Sequence, residues 1–309
     1  MTLLYSDPIY LEHDTGQHPE CADRLRQIIR RLEADRLDRR CTRAACPEIS
    51  AKRLARVHPP EYASLIEDFC NRGGGRIESD TVVSAQSYRV ALRAAGAVAD
   101  AVARVVRKED QRALCLVRPP GHHALQTTVM GFCLFNNVAI GARVATIEYG
   151  VDRVLIVDWD VHHGNGTQAI FWKDEQVGFF SIHRWPFYPG TGAADETGGG
   201  SAVGTVMNIP TEFGTSRKEY LETFITRLEQ FAARIRPQLV LISAGFDSHR
   251  QDPIGSLGLE SEDFVPLTKT LRQVADKYAE GKLVSVLEGG YHTQALADCV
   301  AIHLQELLP

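Results

Sequence analysis

The chain has 309 residues, 44% of them hydrophobic, and a formal net charge of −5. That length buries a large core, and α/β folds of this size are routinely one domain, here residues 1–309. A pI of about 6.1 with dispersed basic residues excludes a nucleic-acid footprint, and no apolar run approaches the ~18 residues of a membrane span. Seven cysteines stand singly, with no C-x-x-C. The start, MTLLYSDPIYLEHD, lacks a basic segment followed by a long apolar one. Both features imply reduced thiols in a cytoplasm. There is no internal repeat.

In chain order, Leu3 to Ser6 is an expected first strand. The loop EHDTGQHPECADRL then enters a helix from about Glu20 to Ala34, with Pro19 and Glu20 placed favourably for its first turn. NRGGG (Asn71 to Gly75) reads as a flexible loop. Asp80-Thr81 precedes an Ala-rich helix over about Ala85 to Val106. Ala113 to Val117 is a buried strand, Asn136 to Glu148 a helix, Val154 to Val157 a strand and Gln168 to Trp172 a short helix. Val177 to Ile182 is a strand, and the Gly- and Pro-rich segment Arg184 to Ser201 a long, functional loop. Strands at Thr205 to Ile209, Leu239 to Ser243 and Leu283 to Leu287 alternate with helices at Arg217 to Ile235, Glu260 to Tyr278 and from about Gln294.

Apolar strands alternating with amphipathic helices predict an open parallel sheet with helices on both faces. Such sheets bind ligands beyond the carboxyl ends of their strands. Four polar clusters follow those ends: RPPGHH, DWDVHH, SAGFDS and EGGYH. They converge on one rim.

Val157 to Thr167 (VDWDVHHGNGT) organises that rim. Alternation along an extended chain turns Asp158, Asp160 and His162 one way and Trp159 and Val161 the other. Two carboxylates and an imidazole on one face need a cation between them. Hydrolytic zinc sites take three protein ligands and keep one position open. Asp160 and His162 supply two, and Asp247 in SAGFDS is the best third. Asp158 is then either an orienting neighbour or part of a monovalent-cation site. The adjacent His122 and His123 suit a general base and acid, with Asp158 and Asn165 as orienting partners. Tyr291, on a glycine turn, suits oxyanion stabilisation. Gly131-Phe132 walls the site, and Cys133 is a small packing residue.

With RPPGHHA, GFCLFNNVAI, DWDVHHGNGTQ, SAGFDSHRQDPIG and LEGGYH assembled in order, the sequence resembles the zinc-dependent histone deacetylase family. HHGNGT and SAGFD look most like its class II branch and bacterial relatives. The resemblance implies the arginase-like open α/β sheet and hydrolysis of acyl groups from lysine or a related amine. It implies zinc on Asp160, His162 and Asp247, with His122 and His123 as the base and acid pair. Tyr291 would polarise the acyl carbonyl, and the Gly131 carbonyl would bind the substrate amide. Phe132 and Tyr188 would line the acyl tunnel, and Asp80 would be a rim acid that grips substrate. A potassium site would use Asp158, Ser181 and the backbone of Asp160, His162 and Ile182. Asn165 stands where class I has an acid. Ile254 stands where polyamine-selective relatives carry an acid, so acyl-lysine in a peptide or protein is expected over an acetylated polyamine. Two other readings exist. A two-manganese hydrolase of arginase type needs a further carboxylate where Gly164 stands. A binding module without catalysis conflicts with Tyr291 and the filled ligand positions.

Overall fold

Residues 2–309 are described by a computed structural model. β1 (Thr2–Tyr5) leads to α1 (Asp23–Ala34), β2 (Cys41–Ala44), α2 (Ala51–Leu54) and α3 (Pro60–Asn71). A hairpin of β3 (Gly74–Arg76) and β4 (Val82–Ser84) precedes α4 (Ser87–Val106). Next come β5 (Arg112–Cys115), α5 (Asn137–Tyr149), β6 (Val154–Asp158), α6 (Asn165–Phe171), β7 (Val177–Arg184) and β8 (Val206–Thr211). The chain ends with α7 (Arg217–Ile235), β9 (Leu239–Ala244), α8 (Phe264–Tyr278), β10 (Leu283–Leu287) and α9 (Thr293–Leu307).

The larger sheet has eight strands in the order β2-β1-β5-β10-β9-β6-β7-β8, all parallel. Helices α4 and α5 cover one face, and α1, α7, α8 and α9 pack on the other side. The central strands are therefore buried on both faces. Burying each Val, Leu or Ile contributes about 1.5–3 kcal/mol relative to exposure, which is why these strands are mostly apolar, with polar exceptions such as Ser243, Ser285 and Asp158. Helix ends are marked locally. The Asn136 side chain accepts from the Ala139 N–H at 3.0 Å to start α5, and Gly150 ends it with φ +63°.

Several expectations are corrected. β2, α2, α3 and the hairpin were not foreseen. NRGGG is not a loose loop: Gly74 and Gly75 form half of the hairpin. Gly74 has φ +78°, and a Cβ there would lie 2.3 Å from the Val83 carbonyl oxygen. Glycine is needed for close approach, not mobility. Helix α1 starts at Asp23, because Glu20 is buried against Arg118 and Arg24 instead of opening a helix. Asn165 and Gly166 belong to α6 rather than to a turn before it. A 3-10 turn over Ser261–Asp263 precedes α8. Among the described residues no helix is long and apolar enough to cross a membrane.

Candidate active site

The loops after β5, β10, β9 and β6 emerge side by side, because those four strands are neighbours in that order. Asp160 and His162 follow β6, and Asp247 follows β9. One ligand atom from each lies within 4.8 Å of the others. His162 Nδ1 is 3.0 Å from Asp160 Oδ1 and 3.2 Å from Asp247 Oδ2. Both carboxylates are fully buried. Burial, and then the Asp160 charge beside it, push the Asp247 carboxyl up to about 7. Asp247 Oδ1 accepts the Val161 N–H at 2.9 Å, while Oδ2 accepts no hydrogen bond. The cradle is cut close: a Cβ on Gly289 would stand 2.2 Å from Asp247 Oδ2, and one on Gly245 would stand 2.0 Å from Asp160 Oδ2. An orphaned buried carboxylate oxygen, a second carboxylate and an imidazole form a donor set suited to one divalent cation. Trp159 points the other way, into Phe224, Phe246 and Phe264, as alternation requires. His163 is outside the set, held by Thr191 and Gln168.

The tandem histidines are held differently. His122 Nδ1 lies 2.9 Å from Asp158 Oδ2, and His123 Nδ1 lies 2.7 Å from Asn165 Oδ1. Burial lowers the affinity of His122 for a proton, but the charges of Asp158 and Asp160 overcome it and bring its pKa up to about 10. His123 has no carboxylate partner. Burial, then the charges of His122 and His162, hold its pKa well below the usual histidine range. The two ring centroids are 4.0 Å apart.

A cavity of about 230 Å³ opens onto His123 and His162. Asp80, Gly131, Phe132, Tyr188, Ile254 and Tyr291 line it, as does Phe187. The residues expected to bind substrate thus lie on its wall, whereas His122, expected in the base and acid pair, does not line it. Gly131 has φ +56°, and a Cβ there would be 2.3 Å from the His123 ring. Its carbonyl accepts the Cys133 thiol at 3.2 Å. The Phe132 and Tyr291 rings meet edge to face at 5.7 Å, and Tyr188 meets His123 likewise at 5.2 Å. Burial keeps the Tyr291 phenol protonated and so a donor, although the nearby Arg24 charge opposes this. Asp158 and Ser181 are lateral partners in the β6–β7 ladder, and Ile182 is buried beside them. The Ser181 hydroxyl also lies 2.9 Å from His183 Nδ1. A similar cavity of about 220 Å³ beside β1 and α1 has no histidine on its wall.

Residues 18–307 match the family model described as the histone deacetylase domain. The chain belongs to the histone deacetylase family. It is 35% identical over 293 residues to a histone deacetylase-like amidohydrolase of Pseudomonas aeruginosa, covering 94% of this chain and 76% of that one. It is 38% identical over 323 residues to the human polyamine deacetylase HDAC10, covering 99% of this chain and 48% of the relative. It thus spans about half of that relative's length. The crystal structure of the HDA15 HD domain superposes with a TM-score of 0.93 at 35% identity, covering 99% of this chain and 89% of that one. The protein is a hydrolase with deacetylase chemistry of this family.

The deacetylase site also depends on residues that sequence reasoning missed. Phe187 stacks on His162 with ring centroids 5.3 Å apart. Arg24 is buried, donates to the carbonyls of Gly290 (2.6 Å) and Glu288, and faces the Tyr291 ring at 5.1 Å. The Glu288 carboxylate accepts the N–H groups of Gly121 (2.6 Å) and His122 (3.2 Å) and the Ser243 hydroxyl (3.2 Å). It fastens the tandem-histidine turn to the ends of β9 and β10. Asp252 accepts from both the Ile254 and Tyr291 backbones. The only signal for Arg24 was HPECADRL, and for Glu288 its place in LEGGYH.

Proposed function

We propose that this deacetylase holds one zinc ion on Asp160, His162 and Asp247 and removes acetyl or other short acyl groups from lysine side chains. The buried Asp–His–Asp cluster, opening on a cavity walled by His123 and Tyr291, carries this reading. When bound, the zinc supplies Lewis acidity toward water and the acyl carbonyl. The chain does the rest. Phe132, Tyr188 and Phe187 hold the acyl-bearing arm and exclude water, and the Gly131 carbonyl accepts the substrate N–H. The Tyr291 hydroxyl donates to the oxygen that gains negative charge. Neutral His123, on the cavity wall, takes the proton from the attacking water and passes it to the leaving amine. Charged His122 stays paired with Asp158 and favours build-up of negative charge nearby. Within the expected base and acid pair, the proton carrier is therefore His123.

We also propose a potassium ion held by Asp158, Ser181 and the backbone of Asp160, His162 and Ile182, supported by the Asp158–Ser181 pairing at the end of the β6–β7 ladder and by the burial of all five residues. Residues 1–309 serve as one catalytic unit, which the bond from the Thr2 hydroxyl to the Leu307 carbonyl supports. Seven free thiols favour the cytoplasm.

A second reading, an acetylated polyamine as substrate, is favoured by Asp80 on the cavity wall, which offers a countercharge to a distal ammonium. The purified protein is to be assayed with zinc on acetyl- and longer acyl-lysine peptides and on acetylspermidine. Turnover of acetyl-lysine with one zinc per chain is expected, and Asp247→Ala should lose both metal and turnover. Two transition metals per chain at full activity would refute the single-zinc site.

A further inference from the structure

We propose that Asp252 is a positioning residue that sets the Tyr291 phenol and the Ile254 wall with one carboxylate. The inference rests on the role given above to Tyr291. Asp252 is nearly buried, 8% exposed, and its two oxygens face opposite ways. Oδ1 accepts the N–H groups of Ile254 at 3.0 Å and Gly255 at 2.9 Å. Oδ2 accepts those of Tyr291 at 2.7 Å and His292 at 3.4 Å. Two loops that share no strand, one after β9 and one after β10, are thus clamped by a single side chain.

The phenol needs such a clamp. Tyr291 follows Gly289-Gly290, and Gly290 sits at φ +121°, where the chain has the least intrinsic preference for one direction. The ring meets Phe132 edge to face at 5.7 Å and the Arg24 guanidinium at 5.1 Å. Such contacts leave sliding open. The short bond to the Tyr291 N–H closes it, because an ionised acceptor holds an N–H more tightly and in a narrower geometry than a neutral one. A hydroxyl that stabilises a developing charge must be held to a fraction of an ångström. On the other side, the Ile254 and Gly255 bonds fix a strip of the cavity wall. Gly255 cannot yield there, since a Cβ would stand 2.5 Å from both the Asp247 carbonyl oxygen and Val161 Cγ1. The wall that meets the substrate arm and the donor that meets its carbonyl therefore share one anchor.

The test is a double-mutant cycle on the zinc-loaded enzyme with an acetyl-lysine peptide. Asp252→Asn keeps the shape but turns an NH₂ toward N–H groups that need an acceptor. Its kcat should fall about tenfold or more, toward the roughly 10²–10³ loss of an oxyanion donor, with KM moving little and zinc content unchanged. In the Tyr291→Phe background the same change should cost under about twofold, because a phenol already removed cannot be misplaced. Asp252→Glu, which keeps charge and acceptors, should recover part of the lost kcat. If the Asn variant does not fold, the Glu variant and Tyr291→Phe form the same cycle. Wild-type kcat in Asp252→Asn, or a double variant that loses the full product of the single losses, overturns the proposal for Asp252 alone. Wild-type kcat in Tyr291→Phe overturns the parent role of the phenol and this proposal with it.

Discussion

Under the proposed acyl-lysine reading, Ile254 is the wall residue that sets the cavity's response to charge. It lines the cavity with an aliphatic surface, and on that reading an ammonium buried against it costs desolvation that the side chain itself does not offset. Acyl-lysine peptide should therefore exceed acetylspermidine in kcat/KM. Ile254→Glu should shift the ratio toward the polyamine, since a carboxylate at ~4 Å supplies about 1–4 kcal/mol. An unmoved ratio would show that the side chain does not meet substrate. The histidines divide just as sharply. His123→Ala should lose nearly all turnover, because the neutral ring on the wall goes with it. His122→Ala removes a charge behind that ring and should cost less, at unchanged zinc content. Equal kcat losses would contradict the assignment of the proton to His122.

The turn that carries Gly131 and Phe132 is tightly packed against the site. Phe132 itself sits at φ +68°, and its N–H donates to the Thr81 hydroxyl at 3.0 Å. Gly131→Ala combines a left-handed backbone with a Cβ 2.3 Å from the His123 ring. We expect it to push the imidazole aside, lowering kcat at least tenfold while zinc stays bound. Full activity would mean that the turn relaxes freely. Elements such as this were legible wherever residue type and position agree. Asp160, His162, Asp247, His122, His123 and Tyr291 all follow apolar strand runs, so their convergence could be read from order alone. The strand β2, CTRA, could not: it is an edge strand, half exposed, with no apolar run. Neither could β3, whose pairing rests on glycines at positive φ. Phe187 acts through a stack that only folding creates. Asp252 binds four main-chain groups, and main-chain groups leave no mark in a sequence.

At the scale of the whole molecule, buried neutral histidines tie stability to pH. Burial takes the His303 imidazole, which meets the hydroxyls of Thr268 (2.7 Å) and Ser285 (2.9 Å), down to about 3. In the unfolded chain it titrates near 6.5, so between these values the unfolded state binds the extra proton. The contribution is complete above about pH 6.5 and is lost as pH falls toward 3. His58 and His183 add to the same limb, with burial taking them to about 4 and about 3. His303→Gln should flatten the fall of stability below pH 6.5 by up to about 1.4 kcal/mol per pH unit, measured by denaturant titration from pH 7 to 4. Parallel limbs in wild type and variant would refute it. The strand order carries a different consequence. β10, the last strand in chain order among the described residues, lies between β5 and β9 in the middle of the sheet. While the chain leaves the ribosome, β5 and β9 wait with bare hydrogen-bonding edges, a state open to mispairing and to chaperones. The segment that closes this gap also delivers Tyr291. Its synthesis thus joins the two halves of the sheet and adds Tyr291 to the cavity wall in one step, and a nascent chain stopped before Leu283 has neither the joined sheet nor that wall.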